Sequence, residues 1–233
     1  MSIILAGKTT PEYVNLTKAV HNGFRHLELA LEQRHLNNIE ITKENIRTAI
    51  EELKKTNKTF EIISIHTPHI NKNETEYLKK TQDLAKEYNA YTIFHSTNLT
   101  IEDTIELAKT IEQDHLLIEN KTTMDLKSIV HNILPYHDMV LDIAHLYRTS
   151  QNIYNDLEIL ISTYKNKIKL IHMNDSTKQK DGLPIGDGDI DFHTIINILK
   201  KTAYTEPMII ETPQSSQPES RQKIQKLIEI DQK

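Results

Sequence analysis

The chain has no cysteine and no tryptophan. The first absence excludes a disulfide framework, a thiolate metal site and a cysteine nucleophile together. Glycine is scarce, with five in 233 residues, and Gly182, Gly186 and Gly188 fall within one short segment. No apolar run approaches the roughly 18 residues that suggest a membrane-spanning helix. Ile3–Ala6 is apolar but carries no leader-type cleavage pattern, so the expected location is cytoplasmic, with no membrane partner. An excess of basic charge is missing too. The 28 Lys and Arg against 33 Asp and Glu leave a net charge of −5. That argues against a nucleic-acid binder that works by bulk charge.

Twelve histidines stand out in an otherwise ordinary globular composition, 37% hydrophobic and 26% charged. The length is close to the roughly 250 residues of a lean (β/α)₈ barrel. One pattern repeats along the chain: a short apolar, β-branched run ends in a polar residue, and an amphipathic stretch follows. The runs are Ile3–Ala6, His26–Leu31, Phe60–His66, Tyr91–His95, Leu116–Glu119, Met139–Asp142, Ile168–His172 and Met208–Glu211. Nearly continuous apolar interiors are expected of parallel strands buried on both faces.

The stretches between them have helical spacing. Ile46, Ala49, Ile50 and Leu53 recur at i, i+3, i+4, i+7, as do Phe192, Ile195, Ile196 and Leu199. Thr10 before Pro11 reads as a helix start. Thr100 with Asp103 reads as a capping box, and Gly23 as a helix stop. Eight strands alternating with helices predict an α/β fold, a single-domain (β/α)₈ TIM barrel with a parallel eight-stranded barrel over residues 1–233. The competing open sheet needs a Gly-rich phosphate turn after the first strand. Gly7-Lys8-Thr9-Thr10 does not supply one, and no organic cofactor is expected. The polar tail after Glu229 reads as frayed.

Barrel enzymes place their chemistry at the C-terminal ends of their strands. Here the third to eighth runs end in His66, His95, Glu119, Asp142, His172 and Glu211, and His145 follows Asp142 by three residues. A single strand-end carboxylate is most often the N-cap of the next helix, and a lone histidine is most often structural. Six in register are different, because three imidazoles and three carboxylates around one cavity leave buried charge uncompensated. A divalent cation resolves this. Imidazole and carboxylate without thiolate suit Zn²⁺, Mn²⁺, Co²⁺ or Fe²⁺ rather than Ca²⁺. His69 lies close enough in sequence to reach the mouth. Asp175 can orient a ligand or bind substrate, and Glu28 lies inside the second strand. His21, His115, His131 and His137 read as structural.

The segments His66-Thr67-Pro68, Phe94-His95, Ile118-Glu119-Asn120, Asp142-Ile143-Ala144-His145, His172-Met173-Asn174-Asp175, Gly186-Asp187-Gly188 and Glu211-Thr212-Pro213, in this order, resemble the xylose isomerase-like superfamily of metal barrels. That superfamily holds sugar-phosphate isomerases and epimerases, and apurinic endonucleases of the endonuclease IV type. The resemblance implies that Glu119, Asp142, His172 and Glu211 are the shared metal ligands, with the two glutamates also the acid/base pair. It implies that His66 and His95 match positions holding a second metal, bridged by Glu119, in the nuclease branch. The nuclease pattern also has an Asp-x-His before the Gly-x-Gly turn. Lys180-Asp181-Gly182-Leu183-Pro184-Ile185-Gly186 contains no histidine, so His145 has no expected third metal. Whether Asp181 matches the aspartate stays open.

The expectation is therefore a metal-dependent sugar or sugar-phosphate isomerase or epimerase. In it Glu119 and Glu211 move a proton through a metal-stabilised enediolate, while His145 and Asp175 hold hydroxyls. The alternative is a metal-dependent phosphodiesterase acting at abasic sites, the only reading with a nucleic-acid partner.

Overall fold

The computed structural model describes residues 3–230, so the tail beyond Ile230 lies outside the described residues. The strands β1 (Leu5–Thr9), β2 (His26–Ala30), β3 (Glu61–His66), β4 (Tyr91–Phe94), β5 (Leu116–Glu119), β6 (Asp138–Asp142), β7 (Ile168–Met173) and β8 (Met208–Ile210) are hydrogen-bonded in sequence order, and the order closes on itself as a barrel. Neighbouring strands are parallel. The predicted (β/α)₈ fold is therefore the fold observed. None of the helices among the described residues is long and apolar enough to cross a membrane. Internal packing groups the chain into two compact units: Ala6–Ile118, and Glu119 onward together with the residues up to Leu5.

The Ala6–Ile118 unit carries the helices α1 (Tyr13–His21), α2 (Gln33–Asn37), α3 (Ile39–Lys55), α4 (Thr75–Glu87) and α5 (Ile101–Ala108). β1 runs further than its apolar residues suggest, because Lys8 continues the ladder opposite Glu28. Lys8 Nζ meets Glu28 Oε1 at 3.1 Å, and Ser64 Oγ donates to Glu28 Oε2 at 2.8 Å. Polar residues thus occupy strand positions that an apolar pattern cannot mark. The helix expected at Thr10-Pro11 starts at Tyr13 instead, with Glu12 as the preceding residue. The Glu12 carboxylate does not cap the helix. It accepts from Arg34 Nη2 at 2.8 Å and lies 2.9 Å from His35 Nε2. Two other punctuation signals hold. Thr100 Oγ1 accepts from the Asp103 N–H, and Gly23 takes φ 92° at the end of α1, where a residue with a Cβ is strained. Ile46, Ala49 and Leu53 form the buried stripe of α3.

The Glu119 unit carries α6 (Leu126–Asn132), α7 (Ile143–Thr149), α8 (Ile153–Tyr164), α9 (Phe192–Lys201) and α10 (Gln217–Ile230). Val140, Leu141, Leu170, Ile171, Ile209 and Ile210 are fully buried, as expected of strands covered on both faces. Phe192, Ile195, Ile196 and Leu199 give α9 its buried face. Asp191 caps that helix, accepting from the N–H groups of His193 and Thr194 at 3.0 and 3.4 Å.

Candidate metal centre

Four strand ends deliver the donors, and all four donor residues belong to the Glu119 unit. Glu119 is the last residue of β5, and Asp142 the last of β6. His172 is the penultimate residue of β7, and Glu211 follows β8 directly. Parallel pairing sets the heights of three of these: Asp142 lies opposite His172, and the Glu211 N–H donates to the Met173 carbonyl at 3.0 Å. One atom sits at the middle of the set. His172 Nδ1 is 2.5 Å from Glu211 Oε2, 3.4 Å from Glu119 Oε1 and 3.9 Å from Asp142 Oδ2. One donor atom from each of the four residues lies within 4.8 Å of all the others.

Asp142 performs two tasks. Its Oδ1 caps α7 by accepting from the His145 N–H at 2.7 Å, and its Oδ2 accepts from Asn174 Nδ2 at 2.9 Å while turned toward His172. The N-cap reading and the ligand reading of this carboxylate are thus compatible, since it has two oxygens. Asn120, fully buried, holds the backbone of the same residue. Its Oδ1 accepts from the Asp142 N–H at 2.7 Å, and its Nδ2 donates to the Asp142 carbonyl at 3.1 Å. Burial pushes the Asp142 carboxyl above its ordinary range, and the charges of Glu211 and Glu119 push the same way against His145 and His172.

His145 stands beside this set. Its Nδ1 lies 2.8 Å from the Asn120 carbonyl, the geometry of a donated N–H, and 3.5 Å from Glu119 Oε1. Its Nε2 lies 3.9 Å from Asp181 Oδ2. Burial pushes the His145 imidazole down, but the charges of Asp142 and Glu119 and the Asn120 carbonyl outweigh it and leave it raised.

The other expected site residues are placed as follows. Asp175 is fully buried, and its two oxygens accept backbone N–H groups of the following loop: Ser176 at 2.8 Å, Gly186 at 2.8 Å, Gly188 at 3.0 Å and Ile190 at 3.2 Å. It anchors the Gly-rich segment. A Cβ at Gly188 would come within 2.4 Å of Asp175 Oδ1, so glycine is required there for close approach. In the Ala6–Ile118 unit, His66 ends β3 and His95 follows β4, their ring centroids 6.0 Å apart. His66 Nδ1 meets the Thr67 carbonyl at 2.8 Å, so Nε2 is the nitrogen it would offer to an ion. His69 is exposed and packs edge-on to His95 at 5.4 Å. Glu28 is engaged by Lys8 and Ser64, as described above.

Sequence reasoning assigned no role to Asn120, Asn174 or Arg148. The first two follow the candidate ligands Glu119 and His172 by one and two residues, which is the only signal they carry. Arg148 Nη1 donates to Asp181 Oδ2 at 2.6 Å, and nothing in the local sequence marks that pair.

The donor set suits one divalent cation. Three carboxylates crowd one imidazole with little solvent, and a single ion compensates charge that the protein alone leaves in excess. Carboxylate and imidazole ligands bind Zn²⁺-type ions at about 2.0–2.2 Å. Donor atoms within 4.8 Å of one another could surround one such ion.

A closed parallel barrel that gathers three carboxylates and an imidazole where its strands end is a (β/α)₈ barrel with a set of side chains that could hold a metal ion. More particularly, the chain belongs to the xylose isomerase-like TIM barrel family, whose model matches residues 16–230. No curated protein matches it. Among solved structures it is similar to a D-tagatose 3-epimerase-like protein, at 20% identity, TM-score 0.72 and 98% coverage of each chain. It is similar to D-allulose 3-epimerase from Methylomonas sp., at 12% identity, TM-score 0.68 and coverage of 97% of this chain and 98% of that one. An AP endonuclease, family 2, from Brucella melitensis is matched at 12% identity and TM-score 0.60, covering 92% and 96%.

Proposed function

We propose that the chain is a divalent-metal-dependent isomerase or epimerase acting on a small sugar or sugar phosphate. The observation that carries this reading is that two glutamates, Glu119 and Glu211, each lie within 3.4 Å of the same buried imidazole nitrogen. Glu119, Asp142, His172 and Glu211 would hold the ion. When bound, that ion supplies Lewis acidity to a substrate carbonyl and its neighbouring hydroxyl. Glu119 and Glu211 then take and return the proton at the carbon between those groups. His145, with Nδ1–H given to the Asn120 carbonyl, presents Nε2 to a substrate hydroxyl. The buried amides of Asn120 and Asn174 keep Asp142 in place, so the donors do not reorganise as charge moves.

The test is solvent deuterium uptake. Metal-loaded protein in D₂O, given ketoses and their phosphates, is expected to exchange a carbon-bound proton in at least one. Glu119→Gln and Glu211→Gln each abolish exchange. No exchange across the panel sinks the reading.

A second reading is kept because of the His66–His95 pair. In phosphodiester hydrolysis at abasic sites these two would hold a further ion. Metal stoichiometry separates the readings: one ion per chain supports the isomerase, and two or more with nicking of an abasic duplex support the hydrolase.

A further inference from the structure

We propose that Arg148 and Asp181 form a recognition pair for the end of the substrate remote from the metal centre, and that this pair selects an unphosphorylated, hydroxyl-rich sugar. The proposal rests on the isomerase reading above and names its substrate class. Its basis is a continuous line of contacts. Glu119 Oε1 lies 3.5 Å from His145 Nδ1, His145 Nε2 lies 3.9 Å from Asp181 Oδ2, and the same oxygen accepts from Arg148 Nη1 at 2.6 Å. One imidazole ring therefore separates the metal-binding carboxylates from the Asp181–Arg148 pair. That span is comparable to the carbon chain of a small sugar.

Both partners are tied back to a metal ligand. Arg148 sits on α7, the helix that Asp142 caps. Asp181 precedes Gly182, whose N–H donates to Asn174 Oδ1 at 3.1 Å, and Asn174 donates in turn to Asp142 Oδ2. Lys178 fastens the same loop to α7 through the carbonyls of Tyr147 and Ser150. The pair is thus built on the same scaffold as the ion site rather than hung on a free loop.

Its chemistry favours a neutral hydroxyl. Arg148 and Asp181 are 27% and 33% exposed, so both remain reachable. Arg148 uses one donor on Asp181, and among the described residues its other N–H groups have no protein partner. Side by side, the pair offers an acceptor and several donors, which matches a hydroxyl that both gives and accepts. A phosphate only accepts, and it meets a guanidinium whose charge Asp181 already balances. The three carboxylates at the ion site exceed the charge of one dication, so a further anion nearby is disfavoured.

The experiment compares wild type, Asp181→Asn, Arg148→Met and Arg148→Lys, all metal-loaded. The probes are D-tagatose, D-fructose, L-ribulose and their terminal phosphate esters, with deuterium uptake giving kcat and KM. Wild type is expected to favour a free ketose over its ester by about tenfold or more in kcat/KM. Asp181→Asn raises KM for the free ketose by about tenfold, the loss falling on KM rather than kcat. It also erases the discrimination against the ester, because Arg148 is then uncompensated. Arg148→Met weakens the free ketose without helping the ester, and Arg148→Lys restores part of the loss. If Asp181→Asn does not fold, the two Arg148 variants decide. Wild-type preference for the ester overturns the proposal. So does an equal effect of the variants on both substrate forms, the signature of a loop clamp. Absence of exchange with every probe in wild type removes the isomerase reading itself, and this proposal with it.

Discussion

Replacing Asn120 by alanine removes the side chain that holds the Asp142 backbone and leaves the proposed metal ligands chemically intact. The Asp142 N–H loses its 2.7 Å acceptor and the Asp142 carbonyl its 3.1 Å donor, both in a buried setting. A buried backbone group left without a partner costs about 1–3 kcal/mol. The N–H is such a group, while the carbonyl, which belongs to the N-cap residue of α7 and so also accepts the first helical N–H, loses a hydrogen bond worth about 0.5–1.5 kcal/mol, and the two losses together give about 3 kcal/mol. For a chain of this size each kcal/mol moves Tm by about 2–4 °C, so the metal-free melting point should fall by about 6–12 °C. Loosening Asp142 also disturbs a proposed ligand, and the loss of such supporting contacts typically weakens metal affinity by about 10–100-fold. Melts in chelator and calorimetric metal titrations on wild type, Asn120→Ala and Asn120→Asp measure the two effects separately. Asn120→Asp keeps the acceptor but turns an acceptor toward the Asp142 carbonyl and adds negative charge, so it should do no better. A metal-free Tm within about 2 °C of wild type for Asn120→Ala would refute the reasoning. A loss that appears only with metal bound would refute it equally, because the hydrogen bonds in question do not involve the ion.

Four further outcomes follow from other parts of the molecule. Saturating metal at about 100 times its Kd should stabilise the wild type by about 2.7 kcal/mol, and this gain should disappear in Glu119→Gln and shrink as falling pH protonates the ligands. Differential scanning with and without chelator reads both effects. Burial pushes the Glu12 carboxyl up, but hydrogen bonds with Thr10 and His35 and the His35 charge outweigh it and hold the carboxyl at about 2, below its ordinary 4.5. A lowered carboxyl stabilises the fold above pH 4.5, and that contribution is lost as pH falls from 4.5 toward 2. Discounted for its partial exposure, it amounts to about 1 kcal/mol, so urea melts of wild type and Glu12→Gln should differ at pH 7 and converge near pH 2. Gly188→Ala forces a Cβ to 2.4 Å from Asp175 Oδ1 and 2.6 Å from the Ser176 carbonyl, and should cost about 1–3 kcal/mol by equilibrium denaturation. At Gly182 no heavy atom lies within 4 Å of an added Cβ, so Gly182→Ala should cost only the strain of φ +67°, about 1–2 kcal/mol.

The barrel was legible because its strands are buried on both faces, and the apolar runs that result need no partner to be seen. Legibility failed where a strand carries polar residues inward. The apolar run stops at Ala6 but β1 continues to Thr9, because Lys8 finds Glu28 across the ladder. The pairing partner lies twenty residues away, and no local pattern encodes it. Thr10-Pro11 misled for a related reason: the residue that enters α1 is Glu12, whose side chain is claimed by Arg34 and His35 from α2. Tertiary partners, not propensity, decided both boundaries.

The site divides along the same line. Glu119, Asp142, His172 and Glu211 could be picked out because each sits at or next to a strand end, and strand ends in a parallel barrel share one face. Their supporting residues could not. Asn120 and Asn174 resemble ordinary loop asparagines until the fold brings both onto Asp142, one on its backbone and one on its carboxylate. Asp175 shows the converse. Its place in His172-Met173-Asn174-Asp175 suggested contact with a ligand or substrate, and the structure gives its oxygens to four loop N–H groups. A carboxylate beside a proposed metal ligand can therefore shape the site by fixing the loop that borders it. Asp181 bears on this most directly, because that fixed loop is what carries it toward His145 and Arg148. Hydrogen bonds through Asn174 and Gly182 join Asp142 of the proposed ion site to the loop that carries Asp181 of the proposed recognition pair. A substitution that moves one should be measurable at the other, first as a change in metal affinity in Asp181→Asn smaller than that in Asn120→Ala.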